Sequence, residues 1–256
     1  MNLSLRFLGV GNASAVELGS SSAVIELDGE PLLMIDCGPD ALTAYLQRYQ
    51  AAPKAIYLTH AHMDHVGGLE RLFFSTYFDL ALRGQLRIYA HAALIPILQS
   101  RVADYPQVLA EGGANFWDAF QLIALSRGFW HQGFWFDVFP TRHHAPMTSF
   151  GISLRASIVW TGDTRPIPEV LSCIAGSKEL VAHDCVVHGN PSHTGIEDIE
   201  REYPVELRER LVLYHYASLA EAVALRARGY RVADLGEAIE LSPPHASSLL
   251  QIEAAS

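Results

Sequence analysis

Ten consecutive residues, Thr59-His60-Ala61-His62-Met63-Asp64-His65-Val66-Gly67-Gly68, constrain this chain more than any other part of it. They follow an apolar run, residues 55–58, that reads as a buried strand. On extended backbone His60 and His62 project to the same side, because side chains alternate with a period of two. If a helix begins near Met63, Asp64 and His65 lie in its first turn, and the four groups converge beyond the strand end. Imidazole and carboxylate are ligands suited to zinc, manganese or iron. Three imidazoles and a carboxylate at this spacing predict a metal site rather than a polar surface loop.

Further ligands belong at other strand ends, where rigid backbone can hold them. His143-His144 follow the strand-like residues 134–139, Asp163 follows the apolar 158–160, and His215 follows 211–213. Each polar residue closes an apolar strand, the same logic as at His60.

Strand patterns also cover 3–8, 23–27, 32–36 and 86–89, then 150–155, 157–161, 180–182, 231–234 and 238–241. Helical spacing covers 40–49, the stretch after Asp64 that carries Val66, Leu69, Leu72 and Phe73, and then 92–102, 168–174, 196–202 and 219–228. Residues 104–133 read as a less regular, aromatic-rich insertion. A β-rich stretch followed by βα units occurs in each half, and no linker divides the halves. The expected architecture is one α/β domain over residues 1–256, two sheets face to face with helices outside.

Half of the chain is apolar and 18% is charged, which allows a large core. No run of about 18 apolar residues suggests a membrane-spanning helix. Leu3, Leu5 and Phe7 alternate with polar residues, so the start reads as a strand rather than a signal peptide. Three widely spaced cysteines, Cys37, Cys173 and Cys185, make a disulfide framework improbable and fit a reducing cytoplasm. The net charge of -10 and the absence of a dense basic run disfavour long duplexes or structured RNA as substrates.

The chain resembles the metallo-β-lactamase superfamily from Phe7-Leu8-Gly9-Val10-Gly11-Asn12, through Ile35-Asp36-Cys37-Gly38 and the histidine motif, to His215. The resemblance implies an αββα four-layer sandwich with two divalent metal ions, zinc or else manganese or iron, at the sheet edge. His60, His62 and a later histidine would hold one ion. Asp64, His65 and His215 would hold the other, with Asp163 bridging. Between His143 and His144 the reading favours His144, just before Ala145-Pro146.

The second half looks most like the branch of tRNase Z and related phosphodiesterases. Trp160-Thr161-Gly162-Asp163-Thr164, His183-Asp184, Ser192-His193-Thr194 and Tyr214-His215 carry that likeness. The eighteen residues 145–162 leave no room for the RNA-gripping arm often inserted there in that branch, so a smaller substrate is expected. Arg142-His143-His144-Ala145-Pro146 also lacks the Thr-Pro-Gly-His-Thr-like stretch of thioester-cleaving branches.

These features imply a hydrolase whose hydroxide, shared between the metals, attacks a phosphodiester in a cyclic nucleotide or short oligonucleotide. Asp64 would orient the nucleophile, His193 would act as general acid, and Asp184 would hold His193 in place. Asp36 would orient a metal histidine and His183 would hydrogen-bond a ligand. Phe74, Tyr77, Trp117 and Trp130 could wall the pocket or mark a homodimer face. The competing readings are a tRNA 3′-processing nuclease, an ester, thioester or lactam hydrolase, and a metal-stabilised scaffold or sensor.

Overall fold

The strands sort into two seven-stranded sheets in a computed structural model that describes residues 1–110, 112–176 and 178–249. The first sheet takes β1 (Leu3–Gly9), β2 (Ser22–Leu27), β3 (Glu30–Ile35), β4 (Ala55–Leu58), β5 (Leu86–His91) and β6 (Phe120–Leu125). The second takes β7 (Gly128–His131), β8 (Phe134–Pro140), β9 (Phe150–Leu154), β10 (Ile158–Trp160), β11 (Leu180–Asp184), β12 (Leu211–Tyr214) and β13 (Arg231–Val232). Finally β14 (Ala238–Leu241) returns to pair antiparallel with β1.

Strand β4 shows why the molecule has four layers. Ala55 and Tyr57 enter the core between the sheets, where they meet residues such as Phe136 and Trp160. Ile56 and Leu58 face the other way, into a core shared with α1 (Ala41–Tyr49) and α3 (Leu69–Tyr77). A strand buried on both faces reads as a continuous apolar run, as this one does. On the outer side of the second sheet, α5 (Pro168–Ile174), α6 (Ile196–Glu202) and α8 (Leu219–Ala227) contribute Leu171, Ile199 and Leu225. The αββα sandwich is therefore as the sequence predicts. Among the described residues no helix is long and apolar enough to cross a membrane.

Strands β3 to β6 run parallel, as do β10 to β13. Parallel neighbours need crossover segments, so their carboxyl ends open onto the loops that such folds use for ligands. His60, Asp163, Asp184 and His215 all sit at or just beyond such ends, of β4, β10, β11 and β12.

Two regions differ from expectation. Residues 104–133, expected to be less regular, carry two strands: β6 pairs with β5, β7 pairs with β8, and the chain crosses between the sheets here. Strand β6 lies at a sheet edge with only two of its six residues fully buried, so its apolar pattern is blurred. The turn into β8 uses Gln132 (φ 46°) and Gly133 (φ 84°), a left-handed pair that suits a tight hairpin. The helix expected over 92–102 is a 3-10 turn (Ala92–Leu94), a short α-helix (Ile95–Leu98) and a wide π turn (Gln99–Ala103).

Candidate metal centre

The strand end at Leu58 delivers Thr59 and His60 into the interior, and the four-residue helix α2 (Met63–Val66) turns Asp64 and His65 back toward them. The loop after β3 must lie against this helix. Cys37 N–H donates to the His65 carbonyl at 2.7 Å, and Gly68 N–H donates to the Cys37 carbonyl at 2.8 Å. A Cβ on Gly68 would stand 2.5 Å from the Gly38 carbonyl oxygen, so glycine is needed for the approach. Two non-glycine residues take left-handed backbone here, Asp36 (φ 60°) and His215 (φ 69°). Such conformations cost about 1–3 kcal/mol and cluster at functional sites.

Asp163 is the centre of the cluster. Its Oδ2 lies 3.2 Å from His215 Nε2 and 3.7 Å from both His60 Nε2 and His143 Nε2. Its Oδ1 lies 3.3 Å from His65 Nε2. Asp64 Oδ2 reaches His65 Nε2 at 3.5 Å and His215 Nε2 at 3.6 Å. Two groups share Asp163: His60, His62 and His143 with it on one side, and Asp64, His65 and His215 with it on the other. Donors around a tetrahedral zinc at about 2.0–2.1 Å stand roughly 3.3 Å apart, close to these separations.

The backs of the rings are tied down. Asp36 Oδ2 accepts from His65 Nδ1 at 2.7 Å and from the Thr59 hydroxyl at 2.7 Å. Thr59 Oγ1 in turn accepts from His60 Nδ1 at 3.0 Å, and the Ser192 carbonyl accepts from His143 Nδ1 at 2.9 Å. These bonds occupy Nδ1 of each ring and leave Nε2 facing the centre. His60 Nε2, His65 Nε2, His215 Nε2 and Asp163 Oδ1 are nonetheless buried without any hydrogen-bond partner. Each unsatisfied group costs about 1–3 kcal/mol, which a bound cation would relieve. The donor set fits divalent metal.

Electrostatics point the same way. Burial works against charge on His65 and His215, but Asp163 outweighs it, with Asp36 and Asp184 respectively, and holds both imidazoles well above their usual range. Burial pushes His60 well below that range and His143 to about 4. For Asp163 burial raises the carboxyl, but His215, His65 and His60 overcome it and hold it well down. The buried carboxylates thus require positive charge at this point.

At the rim, Asp184 Oδ2 accepts from His193 Nδ1 at 2.9 Å and from Thr164 N–H at 3.0 Å. The ring of His193 stacks on His215 with centroids 4.9 Å apart. Burial lowers the His193 pKa, but Asp184 and Asp163 overcome it and raise it.

The structure brings together His60, His62, Asp64, His65, Asp163 and His215, with His193 and Asp184 beside them. The side chain that joins His60 and His62 is His143, where the sequence reading favours His144. Beyond Pro140 burial alternates, with Thr141 and His143 buried while Arg142 and His144 face out. His144 stays at the rim, its Nδ1 3.4 Å from Ser192 Oγ. His183 does not touch a ligand: it bonds the Tyr203 hydroxyl at 2.7 Å and the Asp184 carbonyl at 2.6 Å. The aromatic set does not line the cavity beside the histidines, where Ile97, Arg101 and Thr148 stand instead. Sequence reasoning missed Thr59, although its place between a strand end and His60 marks it. It also missed Arg165, which bonds the His193 carbonyl at 2.9 Å and Asp198 at 2.6 Å.

The family model described as "Anti-Pycsar protein Apyc1" matches residues 3–238. A relative of that name from Saccharibacillus brassicae is 30% identical over 230 residues, spanning 86% of this chain and 92% of the relative. Among solved structures, a diphosphatase of the PhnP family superposes with a TM-score of 0.74 at 18% identity, over 94% of this chain and 97% of its own. The metallo-β-lactamase fold protein YhfI from Bacillus subtilis gives 0.71 at 16% identity, over 94% and 100%.

Proposed function

We propose, because this chain belongs to the Anti-Pycsar protein Apyc1 family, that it is a metal-dependent hydrolase opening the phosphodiester of a cyclic nucleotide. The observation that carries the reading is the His193–Asp184 pair, set at the rim of a cluster of five imidazoles and two carboxylates. A scaffold or sensor has no need of a positioned acid there.

His60, His62 and His143 would hold one divalent ion, and Asp64, His65 and His215 the other, with Asp163 shared between them. Bound there, zinc, manganese or iron lowers the pKa of water toward neutrality and offsets charge on phosphate oxygens. His193 keeps Nδ1–H on Asp184, which leaves Nε2 to give its proton to the departing ribose oxygen. Water loses one proton to solvent as its oxygen adds to phosphorus, the ring P–O bond breaks, and the leaving alkoxide takes the proton from His193, which solvent then restores. Asp64 receives hydrogen bonds from the attacking water and orients it.

Two features favour a small substrate over precursor tRNA. Residues 145–162 are taken up by β9, β10 and short loops, and the chain carries a net charge of -10. The test is a metal-defined screen of the purified protein on a 3′,5′-cyclic mononucleotide, a linear phosphodiester, a thioester and a β-lactam. His62→Ala and His193→Ala run beside it. Cyclic-nucleotide cleavage lost in the first variant and slowed in the second is the expected result. A preference for the thioester or lactam, or inactivity on all four, overturns the reading.

A further inference from the structure

Beside the histidine cluster lies a cavity of about 170 Å³ whose lining includes His62, His143, His144, Ile97, Thr148 and Arg101. Sites for whole drug-sized ligands hold about 300–1,000 Å³, so this one admits a fragment: a phosphate with part of its attached group. Arg101 is the one guanidinium of the lining, which contains no carboxylate. Among the described residues it makes no ion pair or side-chain hydrogen bond, whereas Arg142, Arg165 and Arg201 are paired with Glu169 and Asp198. In a chain with ten more acidic than basic residues (28 against 18), a cation without a partner among the described residues, set beside a metal-holding pocket, is available to an external anion.

The backbone that presents Arg101 is held firmly. It lies in the π turn Gln99–Ala103, where Asp104 N–H donates to the Gln99 carbonyl at 2.9 Å. Gln99 Oε1 accepts from Trp117 Nε1 at 2.7 Å, and Gln99 Nε2 donates to Asp104 Oδ1 at 2.6 Å. Val102 and Ala103 are buried beneath the turn while Arg101 is exposed. Wide turns of this kind recur at functional sites because they re-aim a side chain out of helical register.

The geometry points to Arg101 as the residue that grips the substrate's anionic phosphate in this cavity, next to His62 and His143. This rests on the phosphodiesterase reading, and it assigns the cavity to the phosphate rather than to the base. A guanidinium can give two parallel hydrogen bonds to phosphate, an ammonium a single point charge.

The test titrates phenyl phosphate, as an aryl phosphate probe, into the zinc-loaded protein by isothermal calorimetry. Arg101→Met is expected to weaken binding by about tenfold to a hundredfold. Arg101→Lys falls between it and the wild type. Arg87→Met, which removes a cation from the opposite end of β5, stays within about twofold. No binding by the wild type, equal affinity in Arg101→Met, or an equal loss in Arg87→Met overturns the assignment. Phosphodiester turnover is measured on the same samples. Absent turnover with Arg101-dependent binding intact sinks the hydrolase reading and leaves the anion subsite standing.

Discussion

Asp184 Oδ2 accepts a hydrogen bond from His193 Nδ1 at 2.9 Å, while its Oδ1 faces His215 Nδ1 at 3.5 Å. One buried carboxylate therefore orients both the proposed acid and a metal-facing histidine. The two jobs separate by mutation. His193→Ala removes the acid alone and should lower kcat by about 10²–10⁴-fold, with metal content unchanged. Asp184→Ala should lower kcat and also the metal content, because His215 loses its support. Steady-state kinetics paired with elemental analysis of the same samples checks this. Full activity in His193→Ala would remove it from the chemistry.

The pH dependence follows from the same pair. His193 must carry its proton to act as an acid, and Asp184, against the opposing effect of burial, raises its pKa. The active form is thus present below that raised value and lost as pH rises through it. A kcat profile should show an alkaline limb above the ordinary imidazole range. In Asp184→Asn the limb should move to lower pH, and in His193→Ala it should vanish. A limb that stays in place in both variants belongs to some other group.

Metal loading should release protons. Without a cation, His65 and His215 are held protonated well above their usual range by Asp163 with Asp36 and Asp184, whereas burial keeps His60 and His143 neutral. Binding needs one nitrogen of each ring free of its proton, so zinc titrated near pH 7 should expel about two protons per molecule, the share of His65 and His215. Calorimetry in buffers of different ionisation enthalpy measures the number. Heats independent of the buffer would contradict the charge arrangement described above.

How far the site can be read from the chain depends on how local each part is. His60, His62, Asp64 and His65 are legible because a strand end and one helical turn place all four. Asp163 and His215 are legible as polar residues that close apolar strands. His143 is harder, since Thr141-Arg142-His143-His144 reads as a loop. The extended pairing of Arg142 with Arg165 sets its alternation, and that contact lies outside any sequence window. Arg101 is hidden for a different reason. A regular helix over 92–102 would place it differently, and the π turn depends on Trp117, far along the chain. Strand β6 escapes because, at the sheet edge, only two of its six residues are fully buried.

Thr59 offers the sharpest test of the bonding behind the cluster. Its hydroxyl donates to Asp36 and accepts from His60, so it fixes which His60 nitrogen faces inward. Thr59→Val keeps the buried volume and leaves the Thr59 N–H bond to Asp36 Oδ1 in place. It strands the Nδ1–H of His60 without an acceptor, at about 1–3 kcal/mol. For a chain of this length each kcal/mol lowers Tm by about 2–4 °C. Zinc affinity should fall by about 10–100-fold, the usual consequence of losing a bond behind a metal ligand. Thr59→Ser should restore both. If Thr59→Val binds zinc as tightly as the wild type, His60 is oriented by packing alone, and the Asp36–Thr59–His60 chain is incidental to the metal centre.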